Sequence, residues 1–377
     1  MRRTEIPIMR PLNSRGAGVD IGELLIGWVE VYRRRPRFAC GRSRYLQARP
    51  DNRPFALENQ AFPMFRRISH DERPAKIRLA MNTPRANSRS AHTRHYRVRN
   101  FNMHVRHWEG SAQPLRVILH GWLDLSATWQ RLVDHLPTDW AIAAPDQRGF
   151  GHSDAVGDTY WFYDYVADLD ALLEQLSPDQ PIDLIGHSMG SQVAALYAGV
   201  RPQRVRRLVL LDGFYLPQTT PERAPQQLRN WLDDLRSTPE EKRYPDLDTL
   251  AEKIAKRQRG LDAAGARFVA ECWSSPSDDG QVTLLGDARH RQRGPLLYRD
   301  EEAKAIFRQV SAPTLLVDAG QSVLAGMGKS EVRQQRLECF EQRTHVSIEQ
   351  AGHMLHFDAP DATAQHIESF LSGAEPG

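Results

Sequence analysis

Cysteine is scarce in this chain. Cys40, Cys272 and Cys339 are the three in 377 residues, too scattered for a disulfide framework or a metal knuckle. So few thiols fit a reducing compartment. No apolar run approaches the roughly 18 residues that a membrane-spanning helix needs. Residues 21–31 come nearest, and Glu23 and Glu30 interrupt them. That stretch is also too short and wrongly flanked for a signal peptide. Internal repeats are absent. These gaps exclude a secreted disulfide scaffold, a solenoid and a membrane-spanning protein, and the expectation is a cytoplasmic protein.

Charge is unevenly spread. Residues 1–80 hold 17 basic and 8 acidic side chains, leaving 33 and 39 for the remainder, so the overall charge of +3 hides a basic arm on an acidic body. The arm has frequent proline, the run Arg33-Arg34-Arg35-Pro36-Arg37 and no sustained periodicity, and residues 1–94 therefore read as a disordered extension. A basic arm can hold nucleic acid. This one lacks a repeated spacing and a binding fold beside it, so no nucleic-acid partner is expected. Met81 stands just ahead of the first ordered-looking segment and is a plausible alternative start.

From Tyr96 the pattern changes. Residues 96–99 and 103–108 read as a hairpin around Asn100-Phe101-Asn102. Short apolar runs at 115–119, 140–144, 182–187 and 205–211 then alternate with helical patterns at 127–136, 161–176 and 189–198. Continuous apolar strands separated by helices mean a mostly parallel sheet covered on both faces. Between 214 and 311 the alternation yields to charged, helix-like segments (228–235, 247–257, 261–272, 301–310). It resumes with a strand at 314–317, a helix at 330–340, a strand at 344–348 and a helix at 361–371. An α/β core at 95–213 and 312–373 is thus expected, with a helical lid inserted after the sixth strand.

The chemistry gathers where strands end. Gly186-His187-Ser188-Met189-Gly190 follows an apolar strand and opens a helix, the context in which G-x-S-x-G acts as a nucleophile elbow. The small glycines leave room for a strained turn that lifts the Ser188 hydroxyl above the sheet. His120-Gly121-Trp122 directly follows the strand at 115–119, where Gly121 lets the N–H of Trp122 join that of Met189 as an oxyanion hole. Asp146-Gln147-Arg148-Gly149-Phe150-Gly151-His152-Ser153 is a glycine-bearing turn after the next strand. Ala351-Gly352-His353-Met354-Leu355-His356 follows the last strand, from where His353 can take the proton of Ser188.

These four motifs, in this order and spacing, resemble the α/β-hydrolase superfamily over about residues 95–372. Within it, the HGWLD opening at 120–124, the elbow and the Leu210-Leu211-Asp212 strand end are most similar to the serine hydrolase-like, kraken-type proteins. Haloalkane dehalogenases and soluble epoxide hydrolases carry aspartate at the elbow, where this chain has Ser188. The resemblance therefore implies a serine hydrolase with an acyl-enzyme, a small-molecule substrate, and neither metal nor organic cofactor.

One position departs from that pattern. Most of the superfamily place the triad acid just after the strand that follows the lid; here that region reads Asp318-Ala319-Gly320-Gln321-Ser322-Val323. Asp318 falls two or three residues early, and Asp212, which ends the strand after the elbow helix, is the preferred acid with Asp318 as its rival. His120, Gly121 and His187 are expected beside the substrate pocket, and His353 is preferred to His356 as base. The expected reaction is hydrolysis of an ester, amide or thioester with a small to medium apolar acyl group. A carbon–carbon bond hydrolase, cofactor-free haloperoxidase or lyase on the same scaffold, or a non-catalytic binding member, are the alternatives.

Overall fold

A computed structural model describes residues 88–237, 239–258, 260–324 and 331–373; the basic arm and Met81 lie outside the described residues. Among the described residues, eleven strands form two sheets. β1 (His92–Val98), β2 (Phe101–Trp108), β3 (Ala112–Leu119), β4 (Trp140–Pro145), β5 (Ile182–His187) and β6 (Val205–Leu211) precede an insertion. The insertion carries β7 (Arg243–Tyr244), β8 (Ser274–Pro276) and β9 (Val282–Leu284), and β10 (Thr314–Ala319) and β11 (Arg343–Ile348) follow it. The main sheet runs β1-β2-β4-β3-β5-β6-β10-β11. β1, β2 and β4 pair antiparallel, and every pair from β4 to β11 is parallel.

Strand alternation explains why both faces are apolar. Val117, Leu184, Leu208, Leu210 and Leu316 pack into one layer with helices Phe162–Leu176, Met189–Val200 and Asp300–Phe307. Their chain neighbours Ile118, Ile185, Val209, Leu211 and Val317 face the other layer, closed by helices Gln130–Val133 and Pro360–Ser372. Each of these fully buried aliphatic side chains contributes roughly 1.5–3 kcal/mol of burial free energy. A register slip of one residue would exchange the layers but leave the pattern apolar, so register is set by the loops. Because β3, β5, β6 and β10 run parallel, the loops after Leu119, His187, Leu211 and Ala319 all emerge on one edge. Sites on open α/β sheets form at that edge.

The segment between β6 and β10 is not purely helical, as the sequence had suggested. Helices Ala224–Asp234, Leu247–Arg257 and Ala263–Trp273 accompany an antiparallel sheet ordered β7-β9-β8. Strands of two or three residues are too short to print an alternation. Asp246 and Asp262 cap two of these helices by accepting the N–H of Thr249 and Gly265, both at 2.7 Å. Leu250, Ile254, Val269 and Trp273 share a core with Met354 and Phe357, so the insertion packs on the loop that carries His353.

Three local expectations need correction. Val98 pairs with Phe101, so the hairpin turns on Arg99 and Asn100 alone, with Arg99 at φ 51°. Phe101 belongs to the strand because its ring is buried with Val105 and Leu172. The expected helix at 127–136 is a 3₁₀ turn at Ser126–Trp129 followed by one helical turn at Gln130–Val133. Finally, β1 begins at His92, before the expected core boundary at 95. Even Arg89 is tied to the core, donating to the carbonyls of Glu109 and Trp140 at 2.8 Å.

Candidate active site

Ser188 sits at the end of β5 with φ 51° and ψ −111°, a backbone conformation that side chains rarely adopt and that costs on the order of 1–3 kcal/mol. Two glycines permit it. A Cβ on Gly186 would lie 2.4 Å from the carbonyl oxygen of Gly190, and one on Gly190 would lie 2.3 Å from that of Leu119. The turn is pinned by the Ser188 N–H donating to Leu211 at 2.9 Å and by the Ser191 hydroxyl donating to Gly186 at 2.7 Å.

His353 Nε2 lies 3.1 Å from Ser188 Oγ, and His353 Nδ1 lies 2.6 Å from Asp212 Oδ2. A carboxylate at Nδ1 fixes the proton there and leaves Nε2 as the lone pair facing the serine hydroxyl. Asp212 is fully buried at φ 41°, just past the end of β6. Its carboxylate also receives the hydroxyls of Tyr215 (2.5 Å) and Ser322 (2.7 Å) and the N–H of Ala319 (3.3 Å). Asp318 is elsewhere. It still belongs to β10, opposite Ser347, and pairs with Arg333 (2.5 Å) and His345 (3.0 Å). Burial raises its carboxyl, but His345 and Arg333 outweigh that and hold it below the ordinary value. The structure thus brings Ser188, His353 and Asp212 together and leaves Asp318 outside the group.

A family profile described as the alpha/beta hydrolase fold matches residues 115–360. The chain belongs to the α/β-hydrolase superfamily. It is 27% identical to a serine hydrolase-like protein of Danio rerio over 68% of this chain and 81% of that one. It is likewise 27% identical to a 2-(acetamidomethylene)succinate hydrolase of Mesorhizobium japonicum, over 70% of this chain and 90% of the relative. Among solved structures, the thioesterase domain from the curacin biosynthetic pathway superposes with a TM-score of 0.66 at 27% identity, covering 74% of this chain and 99% of the domain. The relatives of this chain include hydrolases, a lipase and a decarboxylase.

The hydrolase's other expected site residues fall into two groups. Trp122 and Met189 flank a cavity, and the first N–H groups of the helix Met189–Val200 have no intrahelical partner. The Gly121 carbonyl accepts from the Asp124 N–H (3.3 Å) and faces His120 Nδ1 (2.7 Å). In a trans peptide the N–H points opposite to the carbonyl, so this double anchor orients the N–H of Trp122. Gly121 is small for a reason: a Cβ there would lie 2.9 Å from His187 Nδ1 and 3.2 Å from Ser188 Cβ.

His120 and His187 support the site without lining that cavity, contrary to expectation. His120 Nε2 accepts the Gln147 N–H at 2.9 Å, which leaves Nδ1–H to donate to Gly121. His187 Nε2–H donates to the His353 carbonyl at 2.8 Å and so holds the backbone of His353. Burial lowers both imidazoles and keeps them neutral. His356 turns away from Ser188. Its Nε2 faces Asp124 Oδ2 at 3.0 Å, and its ring lies on Trp129 at 4.3 Å. The Asp146 carboxylate, fully buried, anchors the glycine-bearing turn by accepting the N–H of Ser126 (2.7 Å) and His152 (2.9 Å).

Asp124, His187 and His356 form a buried group of metal-ligand type among the described residues. Asp124 Oδ1 already accepts from Thr128 (2.9 Å) and Trp273 (2.8 Å), and Oδ2 faces His356. Both Asp124 oxygens are therefore engaged, while His187 Nδ1 and His356 Nδ1 are buried without a hydrogen-bond partner; with its one carboxylate taken, the arrangement fits a structural hub better than a metal site. Sequence reasoning missed Tyr215, Ser322, Asp124 and Trp273. A hydroxyl three residues beyond Asp212 was the one available hint, and it is weak.

Proposed function

We propose that this α/β-hydrolase is a serine hydrolase that cleaves esters through an acyl-enzyme, with Ser188 as nucleophile, His353 as general base and acid, and Asp212 as the orienting carboxylate. The observation that carries this reading is the continuous hydrogen-bonded line from Ser188 Oγ through both nitrogens of His353 to Asp212, at 3.1 and 2.6 Å. Such a line is what base-assisted attack by a serine requires.

In the proposed reaction Ser188 Oγ bonds to the acyl carbon as its proton passes to His353 Nε2. Asp212 stabilises the imidazolium that results. The N–H groups of Trp122 and Met189 receive the negative charge that develops on the carbonyl oxygen, each donor of this kind contributing about 10²–10³ in rate. His353 then returns the proton to the departing alkoxide. A water molecule, deprotonated by the same nitrogen, releases the acid. Residues 214–311 serve as a cap over the site, on a core that begins with β1 at His92 and comprises residues 92–213 and 312–373.

Against a non-catalytic binding role stands the cost of the strained Ser188 backbone, which a pure binding site has no need to maintain. The test is labelling by a small dialkyl fluorophosphate. The chain should be modified at Ser188, and Ser188→Ala should neither be labelled nor turn over p-nitrophenyl acetate while melting at the same temperature. Labelling of the variant would place the nucleophile elsewhere.

A further inference from the structure

The cavity beside Trp122 and Met189 has a volume of about 130 Å³. An engineered apolar cavity of about 150 Å³ in another protein binds benzene, so this one holds a single ring or a chain of roughly six carbons. A wider groove of about 800 Å³ between 149–153 and 283–289 is lined by neither Trp122 nor Met189, the two chain neighbours of the Gly121 and Ser188 turns that place the smaller cavity beside the site.

Two properties of the cavity limit what enters it. The first is stiffness. His290, contributed by the insertion, is clamped between Phe150 and Tyr160 with ring centroids 3.7 Å away on either side. Its Nδ1 meets the Tyr165 hydroxyl at 3.2 Å, and the Tyr160 hydroxyl is itself fixed on Asp287 at 2.7 Å. Leu196, on the elbow helix, lies in the close-packed core. Such a wall cannot swing aside for a long chain without breaking stacked and bonded contacts. Trp161 and Leu296, 43% and 54% exposed, form an apolar rim.

The second property is charge. The cationic side chains at the cavity are Arg293 and Arg299, and carboxylates engage both, Asp234 for the first and Glu302, at 2.8 Å, for the second. The Arg299–Glu302 pair is exposed at the rim, so a substrate carboxylate seated deeper in the cavity would find Arg293 already held by Asp234, no free counter-ion beside it, and would lose its hydration. We infer that the acyl group is uncharged and compact, a single ring or a chain of about six carbons, and that half-esters of dicarboxylic acids and long-chain lipid esters are not substrates. This rests on the serine-hydrolase reading and narrows it.

The experiment is a p-nitrophenyl ester series on the full chain, from acetate through butyrate, hexanoate and octanoate to dodecanoate, with benzoate and succinate half-ester. Ser188 labelling by the dialkyl fluorophosphate is measured on the same preparation. kcat/KM should rise roughly fourfold per methylene to hexanoate, stay high for benzoate, and fall at least tenfold by dodecanoate. The half-ester should be at least tenfold poorer than butyrate. A steady rise through dodecanoate, or a half-ester as good as butyrate, overturns the inference. Loss of Ser188 labelling overturns the hydrolase reading instead. Leu216, half-buried at the cavity, offers a second check. Leu216→Ala should move the optimum toward octanoate and Leu216→Trp toward butyrate, and an optimum that neither variant moves places the acyl group elsewhere.

Discussion

The Ser322 hydroxyl donates to Asp212 Oδ2 at 2.7 Å, and that same oxygen faces His353 Nδ1 at 2.6 Å. Ser322 lies in the loop after β10, where most of the superfamily carry the acid, and Asp212 lies past the end of the neighbouring strand β6. The carboxylate that meets His353 thus comes from one strand over, and a hydroxyl in the loop after β10 holds it. Tyr215 and the Ala319 N–H complete the grip. A carboxylate so held is aimed at His353 Nδ1, as the proposed role of orienting acid requires.

Exchanging the two aspartates separates their roles. Asp212→Asn should keep the fold and lower kcat by about 10⁴, because an amide facing Nδ1 favours the wrong tautomer. Asp318→Asn should lose less than tenfold, since it loosens only a partly exposed pair with Arg333 and His345. Steady-state kinetics on both variants decide the matter. A crippled Asp318→Asn beside an active Asp212→Asn would invert the assignment.

Ser322 gives a more demanding test. Ser322→Ala removes one donor and should lower kcat/KM about tenfold, in line with the 1.5–3 kcal/mol of a hydrogen bond to a charged group. Because Ser322 Oγ stands 2.7 Å from the oxygen that faces His353, an aspartate there can approach the imidazole. Ser322→Asp in the Asp212→Asn background should therefore recover at least tenfold of the lost activity. No recovery in a well-folded double variant would show that position 322 cannot present a carboxylate.

Much of this was legible in the sequence, for a definable reason. Ser188 and His353 each sit in a local motif whose glycines answer to steric demands within a few residues. The parallel sheet was legible because strands buried on both faces print unbroken apolar runs. Asp212 could be preferred, though not assigned, since its strand end was clear and the expected position held Ser322. Ser322 and Trp273 escaped because their partners come from convergence of distant segments; Ser322 is 110 residues from Asp212, and Trp273 is 149 from Asp124. Tyr215 is only three residues from Asp212, but a nearby hydroxyl is too common a feature to single out. Phe101 was placed in a turn because the hairpin's two-residue loop is set by burial of its ring rather than by turn chemistry.

Asp358 makes stability depend on pH. Burial raises its carboxyl to about 6, with His356, His353 and Arg131 offsetting part of the effect, and its Oδ1 has no hydrogen-bond partner. The folded state thus binds a proton that the unfolded state has released between pH 4 and 6, so this group's contribution falls as pH rises through that window. Asp358→Asn removes the penalty. Its melting temperature should match the parent near pH 4 and exceed it at pH 8, by no more than the roughly 3 kcal/mol that two pKa units represent. Equal melting temperatures at pH 8 would mean that Asp358 is better solvated than its burial suggests.

The last expectation concerns the hub that joins the insertion to the catalytic loop. Asp124 Oδ1 accepts from Thr128 and from the Trp273 indole, while Oδ2 faces His356, three residues beyond His353. Three donors on two oxygens leave no room for an amide. In Asp124→Asn one face of the side chain becomes a donor and opposes either His356 or the Trp273–Thr128 pair, a buried mismatch of about 1–3 kcal/mol. At roughly 2–4 °C per kcal/mol for a domain of this size, melting should fall by several degrees. Because the strain enters next to His353, the proposed base, kcat should drop more than tenfold with KM changed less than threefold. Trp273→Phe is the control. It keeps the ring in the core shared with Phe357, removes one of two donors to Oδ1, and should cost little in melting temperature or in kcat. Thermal melts and kinetics on the two variants separate the cases. An Asp124→Asn chain that melts and turns over like the parent would reduce the hub to packing.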